Sequence, residues 1–408
     1  MKACPDPFDG SSRLRDRRGF LQRVAAAGGV VPLVGPGFAR RGLAGQEGAD
    51  GVPSGTSGVL IPRQRNPENL EYPFASLDSF LTPNEQFFVR THFEVPEIAR
   101  GDWRLAVTGE VERPLELREE ELRAMPSRTV TAVIECNGNG RDFLDPPQVG
   151  IRWELGGVSN AEWTGVPLAA VLERAGVKPG AVEVVLEGAD QGQYREPVAR
   201  TPGVIRYSRS LSLQKAMSPE VLLAYAMNGR ELTSRHGFPL RAVVPGWYGM
   251  ASVKWLRRIE VTSRPFLGYF QTFAYSIWED RGGLLSLAPV TELRVKAQIA
   301  RPASFEVVPR GSTYLVRGAA WTGAEAVAKV EFSDDGGESW SLATLEGPTV
   351  PFAWRLWRFV WRTPDRPGRK VVMARATDSA GQVQPMTRDP LLRDTSISHV
   401  LPIEVEVA

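Results

Sequence analysis

Val130-Thr-Ala-Val-Ile-Glu-Cys136 runs directly into Asn137-Gly-Asn-Gly-Arg141. The β-branched, alternating first part predicts a strand. The glycines predict a loop whose backbone can come close to a bulky ligand. Loops at strand ends are where a scaffold presents functional groups. Cys4 is the only other cysteine, which excludes a disulfide framework, a four-cysteine iron–sulfur cluster and a C-x-x-C-H haem attachment. Three readings of Cys136 follow from chemistry alone: an inert buried thiol, a thiolate nucleophile needing a nearby base, or a soft metal ligand. The three histidines, His92, His236 and His399, are too few for a histidine-rich zinc or copper site and form no recognisable base for the second reading. A single thiolate metal ligand requires that the other ligands come with a cofactor.

Around this stretch the chain alternates. Residues 104–109, 128–134, 181–186, 240–245 and 253–261 read as strands. Residues 167–175 place apolar side chains at helical spacing and stop at Gly176. From about 294 strands dominate (313–320, 327–332, 354–361, 370–376), with Asp334-Asp-Gly-Gly337 as a hairpin turn. The fold class expected is α+β: a mixed domain over 71–293, then an immunoglobulin-like β-sandwich over 294–408. Residues 45–70, rich in Gly, Pro and Ser, read as a linker. The 408 residues, with 42% hydrophobic and 24% charged side chains, exclude a wholly disordered chain. The 40 Gly and 32 Pro argue for turns and short strands over a helical bundle.

The amino terminus reads as an address. Arg17-Arg18-Gly-Phe-Leu precedes a weakly apolar run from Val24 to Val34, too short and glycine-rich to span a membrane. Residues 1–44 therefore resemble a twin-arginine export signal, which implies a periplasmic or otherwise extracytoplasmic protein. That route carries folded proteins, as befits one that binds its cofactor before export. The segment holds eight basic and three acidic residues, a net +5, so the remainder is −3 against +2 for the whole chain. A nucleic-acid partner thereby loses its electrostatic support. No later run of about 18 apolar residues predicts a membrane span.

Six blocks, in order, resemble the sulfite oxidase family of molybdopterin-dependent oxidoreductases: Phe87-Phe-Val-Arg-Thr-His92, Glu135-Cys-Asn-Gly-Asn-Gly-Arg141, Glu187-Gly-Ala-Asp190, Leu222 to Gly229 leading into Arg235 to Gly246, Val253-Lys-Trp-Leu256, and Ala353-Trp-Arg-Leu-Trp357. The similarity covers about residues 70–408. It implies one molybdenum held by the Cys136 thiolate and by molybdopterin, with no haem in this chain. His92, Asp190, His236, Arg241 and Lys254, with the backbone of Phe88, Val89, Arg90 and Thr91 and of Ser252 and Val253, are the cofactor-binding residues it implies. Arginine and lysine suit the cofactor's phosphate; a carboxylate can accept from pterin N–H groups.

The same resemblance assigns Arg90, Arg141 and Arg355 to an oxyanion pocket, Trp153 to its wall, and Tyr275 to the active-site tyrosine. Arginine's planar fork suits such an anion. The implied reaction is oxidation of sulfite to sulfate by oxygen-atom transfer, electrons passing to an external acceptor such as a c-type cytochrome. Alternation places Arg355 with residues 357, 359 and 361, a face expected to meet the first domain so that the site lies at the domain junction. A homodimer through 294–408 is expected. Departures are Gly140 where many relatives carry arginine, a short loop between Cys136 and Trp153, and poor agreement over 192–211. Alternatives are a sulfane dehydrogenase-like or other oxyanion oxidoreductase on the same cofactor, and a non-enzymatic immunoglobulin-like binding protein.

Overall fold

The strand Arg128–Glu135 pairs antiparallel along its length with Val158–Pro167, from Arg128 opposite Gly165 to Glu135 opposite Val158. Its first two residues are exposed and its last four are buried. The strand therefore runs from the surface into the core and delivers Cys136 at its buried end. A computed structural model describes residues 59–195, 200–393 and 395–408, all within the unit Gly55–Ala408. The export signal expected over 1–44 lies outside the described residues.

The sheet continues through Leu222–Met227 to Arg230–Glu231, with Arg241–Val243 paired to Leu222–Met227. Gly165 is required where two strands press together, since a Cβ there would lie 2.1 Å from the Leu223 carbonyl oxygen. A second five-stranded sheet takes the order Leu115–Leu117, Leu105–Gly109, Leu256–Thr262, Glu183–Gly192, Ile205–Ser212. Leu256–Thr262 runs parallel to Leu105–Gly109 and antiparallel to Glu183–Gly192. The helix Leu168–Ala175 buries Leu168, Val171, Leu172 and Ala175 against this core, the i, i+3, i+4, i+7 face of an amphipathic helix. Gly176 ends it at φ +73°, a left-handed C-terminal cap.

The carboxyl-terminal part is a sandwich. Lys296–Arg301, Thr313–Trp321, Arg355–Arg362 and Thr344–Glu346 form one sheet. Val307–Val308, Ile403–Val407, Gly368–Asp378, Val327–Ser333 and Ser341–Leu342 form the other. Val316, Val330, Phe332, Trp357, Trp361 and Val372 fill the space between them, as alternation toward two inner faces requires. The α+β architecture with a following sandwich stands as read.

Two expectations are corrected. The segment 45–70 is not all linker: Ile61–Gln64 and Asn69–Glu71 are strands, and with Val89–Arg90 they form a three-stranded sheet. Its polar and proline-rich composition hid strands that gain their partner only in the folded chain. The face of Arg355–Arg362 that carries Trp357 and Trp361 points into the sandwich's own core. The neighbouring positions Trp354 and Leu356 pack against the first domain instead, and Trp354 Nε1–H donates to the Phe80 carbonyl at 2.8 Å.

Trp357→Ala removes a fully buried ring from the sandwich core. It should lower unfolding free energy by about 3–5 kcal/mol, measured by chemical denaturation.

Candidate active site

Cys136 opens onto a cavity that it shares with Arg90, His92 and Tyr275. Its N–H donates to the Gly157 carbonyl at 2.8 Å, and its own carbonyl accepts from Asn139 N–H at 2.9 Å. The chain thus turns at once after the strand. Arg141 folds back over this turn: a Cβ on Gly138 would lie 2.4 Å from its Nη1, and Nη1–H donates to the Ile151 carbonyl at 2.9 Å. Glycine at 138 makes room for the guanidinium. Cys136 is free and 9% exposed.

Three cations share the cavity wall: Arg90, Arg241 and Lys254. Arg241 donates to the carbonyls of His236 (3.1 Å) and Ser252 (3.3 Å) and lies 4.7 Å from the Trp163 ring centre. Lys254 donates to the Arg235 carbonyl at 2.8 Å. Arg90 donates to the Thr91 carbonyl and, at 3.2 Å, to Asn69 Oδ1, which also accepts from Thr91 N–H. Among the described residues, none of the three forms an ion pair with a carboxylate. Cations at a cavity wall without a carboxylate ion pair favour an anionic guest.

The irregular ends of strands bring these groups together. The register between Glu183–Gly192 and Ile205–Ser212 slips between Glu187 and Gln191, so Asp190 falls where regular pairing fails. Leu256–Thr262 is preceded by Trp255 at φ +51°, which turns Lys254 out of the sheet direction. Asp190 Oδ1 and Asn137 Nδ2 are buried without a hydrogen-bond partner, and both residues line the cavity. A buried polar atom without a partner costs about 1–3 kcal/mol. One acceptor, one donor, three cations and one thiol fit a ligand with a phosphate, a polar heterocyclic edge and a thiolate-binding metal.

Burial controls protonation here. It pushes the Asp190 carboxyl up to about 7, against the opposing pull of Lys254. It lowers Lys254 well below its ordinary value, with Arg241 adding repulsion, and brings Arg241 down to about 9. His236 falls to about 3 through burial and the charges of Lys254 and Arg241. His92 is likewise held neutral by burial and by Arg90. Its Nε2 hydrogen-bonds the Tyr275 hydroxyl, and its ring stacks on Tyr207 at 4.3 Å. Burial raises the Tyr275 phenol to about 12 although Arg90 opposes it.

Phe88, Arg90, Thr91, His92, Cys136, Asp190, His236, Arg241, Ser252, Lys254 and Tyr275 all line the cavity. The side chains of Val89 and Val253 are buried in the core. Trp153 is fully buried behind the wall, edge-on to Phe88 at 6.1 Å. Arg141 lies outside the lining, though its charge acts on Tyr275.

Arg355 does not line the cavity; its guanidinium is bonded to Thr349. It begins a strand whose alternate side chains, Trp357 and Trp361, fill the sandwich. The second domain instead brings Arg393 close to Tyr275. Arg393 donates to the carbonyls of Phe273 and Ser276, each at 3.2 Å, and to Ser276 Oγ at 2.7 Å.

Sequence reasoning also passed over Arg209, which is fully buried. It donates to the Phe270 carbonyl and, at 2.7 Å, to that of Val290, whose N–H donates to the Tyr275 carbonyl. It thereby braces both sides of the tyrosine loop. Its only sequence signal is a charge inside an otherwise inward-facing strand position; Arg393 lies beyond any regular element and gives none.

An antiparallel sheet, a mixed sheet and a sandwich, framing one thiol among cations, agree with the class that the family matches give, a molybdopterin-dependent oxidoreductase. Residues 92–270 match the oxidoreductase molybdopterin binding domain, and residues 288–393 the Mo-co oxidoreductase dimerisation domain. Sulfite oxidase of Gallus gallus is 36% identical over 361 residues, covering 84% of this chain and 76% of that protein. A nitrate reductase of Solanum lycopersicum is 32% identical over 358 residues, covering 79% of this chain and 38% of that one. The sulfane dehydrogenase SoxCD from Paracoccus pantotrophus superimposes with a TM-score of 0.73 at 26% identity, covering 89% of this chain and 96% of that one. The chain belongs to the sulfite oxidase family.

Asp190 gives this site a pH signature in the cofactor-free protein. Its folded-state pKa is raised, so the native state holds more protons than the unfolded chain. The sign is then negative: stability contributed by this group falls as pH rises from about 4 to about 7. Asp190→Asn should flatten the melting temperature across that window, measured by calorimetry at fixed ionic strength.

Proposed function

We propose that the protein oxidises sulfite to sulfate and passes the two electrons to an external acceptor, a c-type cytochrome. The observation that carries this reading is the meeting of the Cys136 thiol, the Arg90 guanidinium and the His92-bonded Tyr275 hydroxyl at one cavity. Arg241 and Lys254 hold the cofactor's phosphate as charge-assisted donors. Asp190, Asn137 and His236 face its polar edge, and Cys136 supplies the thiolate. A molybdenum cofactor held there would supply two-electron oxygen-atom transfer, with the net balance sulfite plus water to sulfate plus two protons and two electrons.

Arg90 attracts the oxyanion and fixes its orientation, with the charge of Arg141 adding to the field at Tyr275. The Tyr275 hydroxyl donates its one hydrogen to a substrate oxygen and accepts from Nε2–H of the neutral His92 ring, which fixes the hydroxyl's direction. Phe88, Met250 and Trp255 keep bulk water from the wall. The twin-arginine segment supports an extracytoplasmic setting, and the dimerisation domain supports a homodimer. The likeness to SoxCD favours a second reading, oxidation of a sulfane sulfur.

Sulfite-dependent reduction of cytochrome c by protein produced with a functional cofactor pathway tests the proposal. Turnover with a sulfane substrate or nitrate, and none with sulfite, would replace it. Cys136→Ser should abolish turnover, because a hard oxygen disfavours this soft coordination; wild-type rates in that variant would remove Cys136 from the metal. Arg90→Met should raise KM for sulfite about tenfold or more, as loss of a charge-assisted bond of about 1.5–3 kcal/mol requires.

A further inference from the structure

We propose that Lys296, a residue of the second domain, is the positioning residue of the Cys136 loop, so that the sandwich completes the site it adjoins. This rests on the reading of Cys136 as the metal ligand. Lys296 opens the first sandwich strand, Lys296–Arg301, yet its side chain leaves that domain. The ammonium is wholly buried and donates to Glu135 Oε1 at 2.9 Å and to the Asn139 carbonyl at 3.0 Å. Those acceptors flank Cys136 on the chain, one residue before it and three after.

Further hydrogen bonds converge on the same loop. Trp321 Nε1–H, also from the second domain, donates to Glu135 Oε2 at 2.8 Å. Asn139 Nδ2–H donates to Glu135 Oε1 at 3.1 Å, and Asn139 Oδ1 accepts from Gly157 N–H at 3.0 Å. Gly157 is also the residue whose carbonyl receives the Cys136 N–H. The backbone leans directly on the second domain, since a Cβ on Gly140 would lie 2.8 Å from Leu401 and 3.3 Å from Ile397.

A role in stability alone does not account for this lysine. Replacing a buried ion pair by apolar residues of similar volume is often neutral or stabilising. Lys296 also does what a charge partner for Glu135 need not do: it bonds the loop carbonyl at residue 139. Holding a strand end and the following turn with one three-donor group fixes where the intervening thiol points.

The test separates charge balance from positioning. In Glu135→Gln/Lys296→Met both charges go together, so no unpaired carboxylate is left buried and the net field at Cys136 is little changed. Its melting temperature should stay near wild type. Alkylation of Cys136 by iodoacetamide in the cofactor-free protein, at fixed pH and resolved from Cys4 by peptide mass, should nevertheless quicken tenfold or more. Molybdenum occupancy of protein made with the cofactor pathway should fall.

Lys296→Gln in the same background, one atom too short to reach the Asn139 carbonyl, gives an independent reading with the same expectation. Trp321→Phe keeps the lysine bonds and should alkylate within about twofold of wild type. A wild-type alkylation rate in the folded double variants overturns the proposal. So does an equal increase in Trp321→Phe, which would mean that any defect at the domain junction loosens the loop. Because alkylation is read without cofactor, its outcome is independent of the metal assignment, which Cys136→Ser tests separately through turnover.

Discussion

Buried positive charge held by carbonyl oxygens is the constraint on which the structure turns. Arg90, Arg241 and Lys254 surround one cavity and, among the described residues, pair with no carboxylate. Compensation is incomplete at Arg241 and Lys254, and burial lowers both, although Asp190 opposes the shift at Lys254. The same field and the same burial keep His92 and His236 neutral. The one carboxylate at the cavity, Asp190, is itself raised by burial and has an oxygen without a partner. The chain is built so that an anionic guest completes its electrostatics.

The scaffold meets this demand with irregularity in otherwise regular sheets. Cys136 stands at the buried end of a strand that begins at the surface. Asp190 lies in a slipped register and Lys254 beside a residue of positive φ. Regular pairing would bind these backbone groups into a ladder and alternate the side chains across two faces. Its interruption lets neighbouring residues converge on one cavity. The regular remainder keeps that convergence rigid: Trp163 lies beneath Arg241, Trp153 behind Phe88, and Arg209 braces the tyrosine loop.

The second domain is joined to the first through polar contacts as well as packing. Lys296 and Trp321 converge on Glu135, and Arg393 reaches the carbonyls on either side of Tyr275. Trp354 adds an indole bond to Phe80. A domain that matches a dimerisation module therefore also touches both the thiol loop and the tyrosine loop. Its contacts with the first domain's loops come from these inward side chains, whereas its own apolar core is filled by Trp357 and Trp361.

The sequence alone determined the elements whose cause is local. Alternation and β-branching in 128–134 made a strand, helical spacing in 167–175 ended at Gly176 made a helix, and one cysteine before a glycine-rich turn marked a candidate functional loop. Motif order was enough to gather Arg90, His92, Asp190, His236, Arg241, Lys254 and Tyr275, which the fold brings to one cavity. Only tertiary structure decided which second-domain arginine nears the tyrosine. Alternation reports two faces but not what covers each, and the face that Arg355 shares with Trp357 and Trp361 is the sandwich's own. It also decided that Asn69, in a polar segment that read as a linker, orders Arg90 and Thr91, and that Lys296 bonds a loop more than 150 residues earlier in the chain. Such contacts have no local signal, because a buried polar side chain is accommodated only when distant backbone supplies its partners.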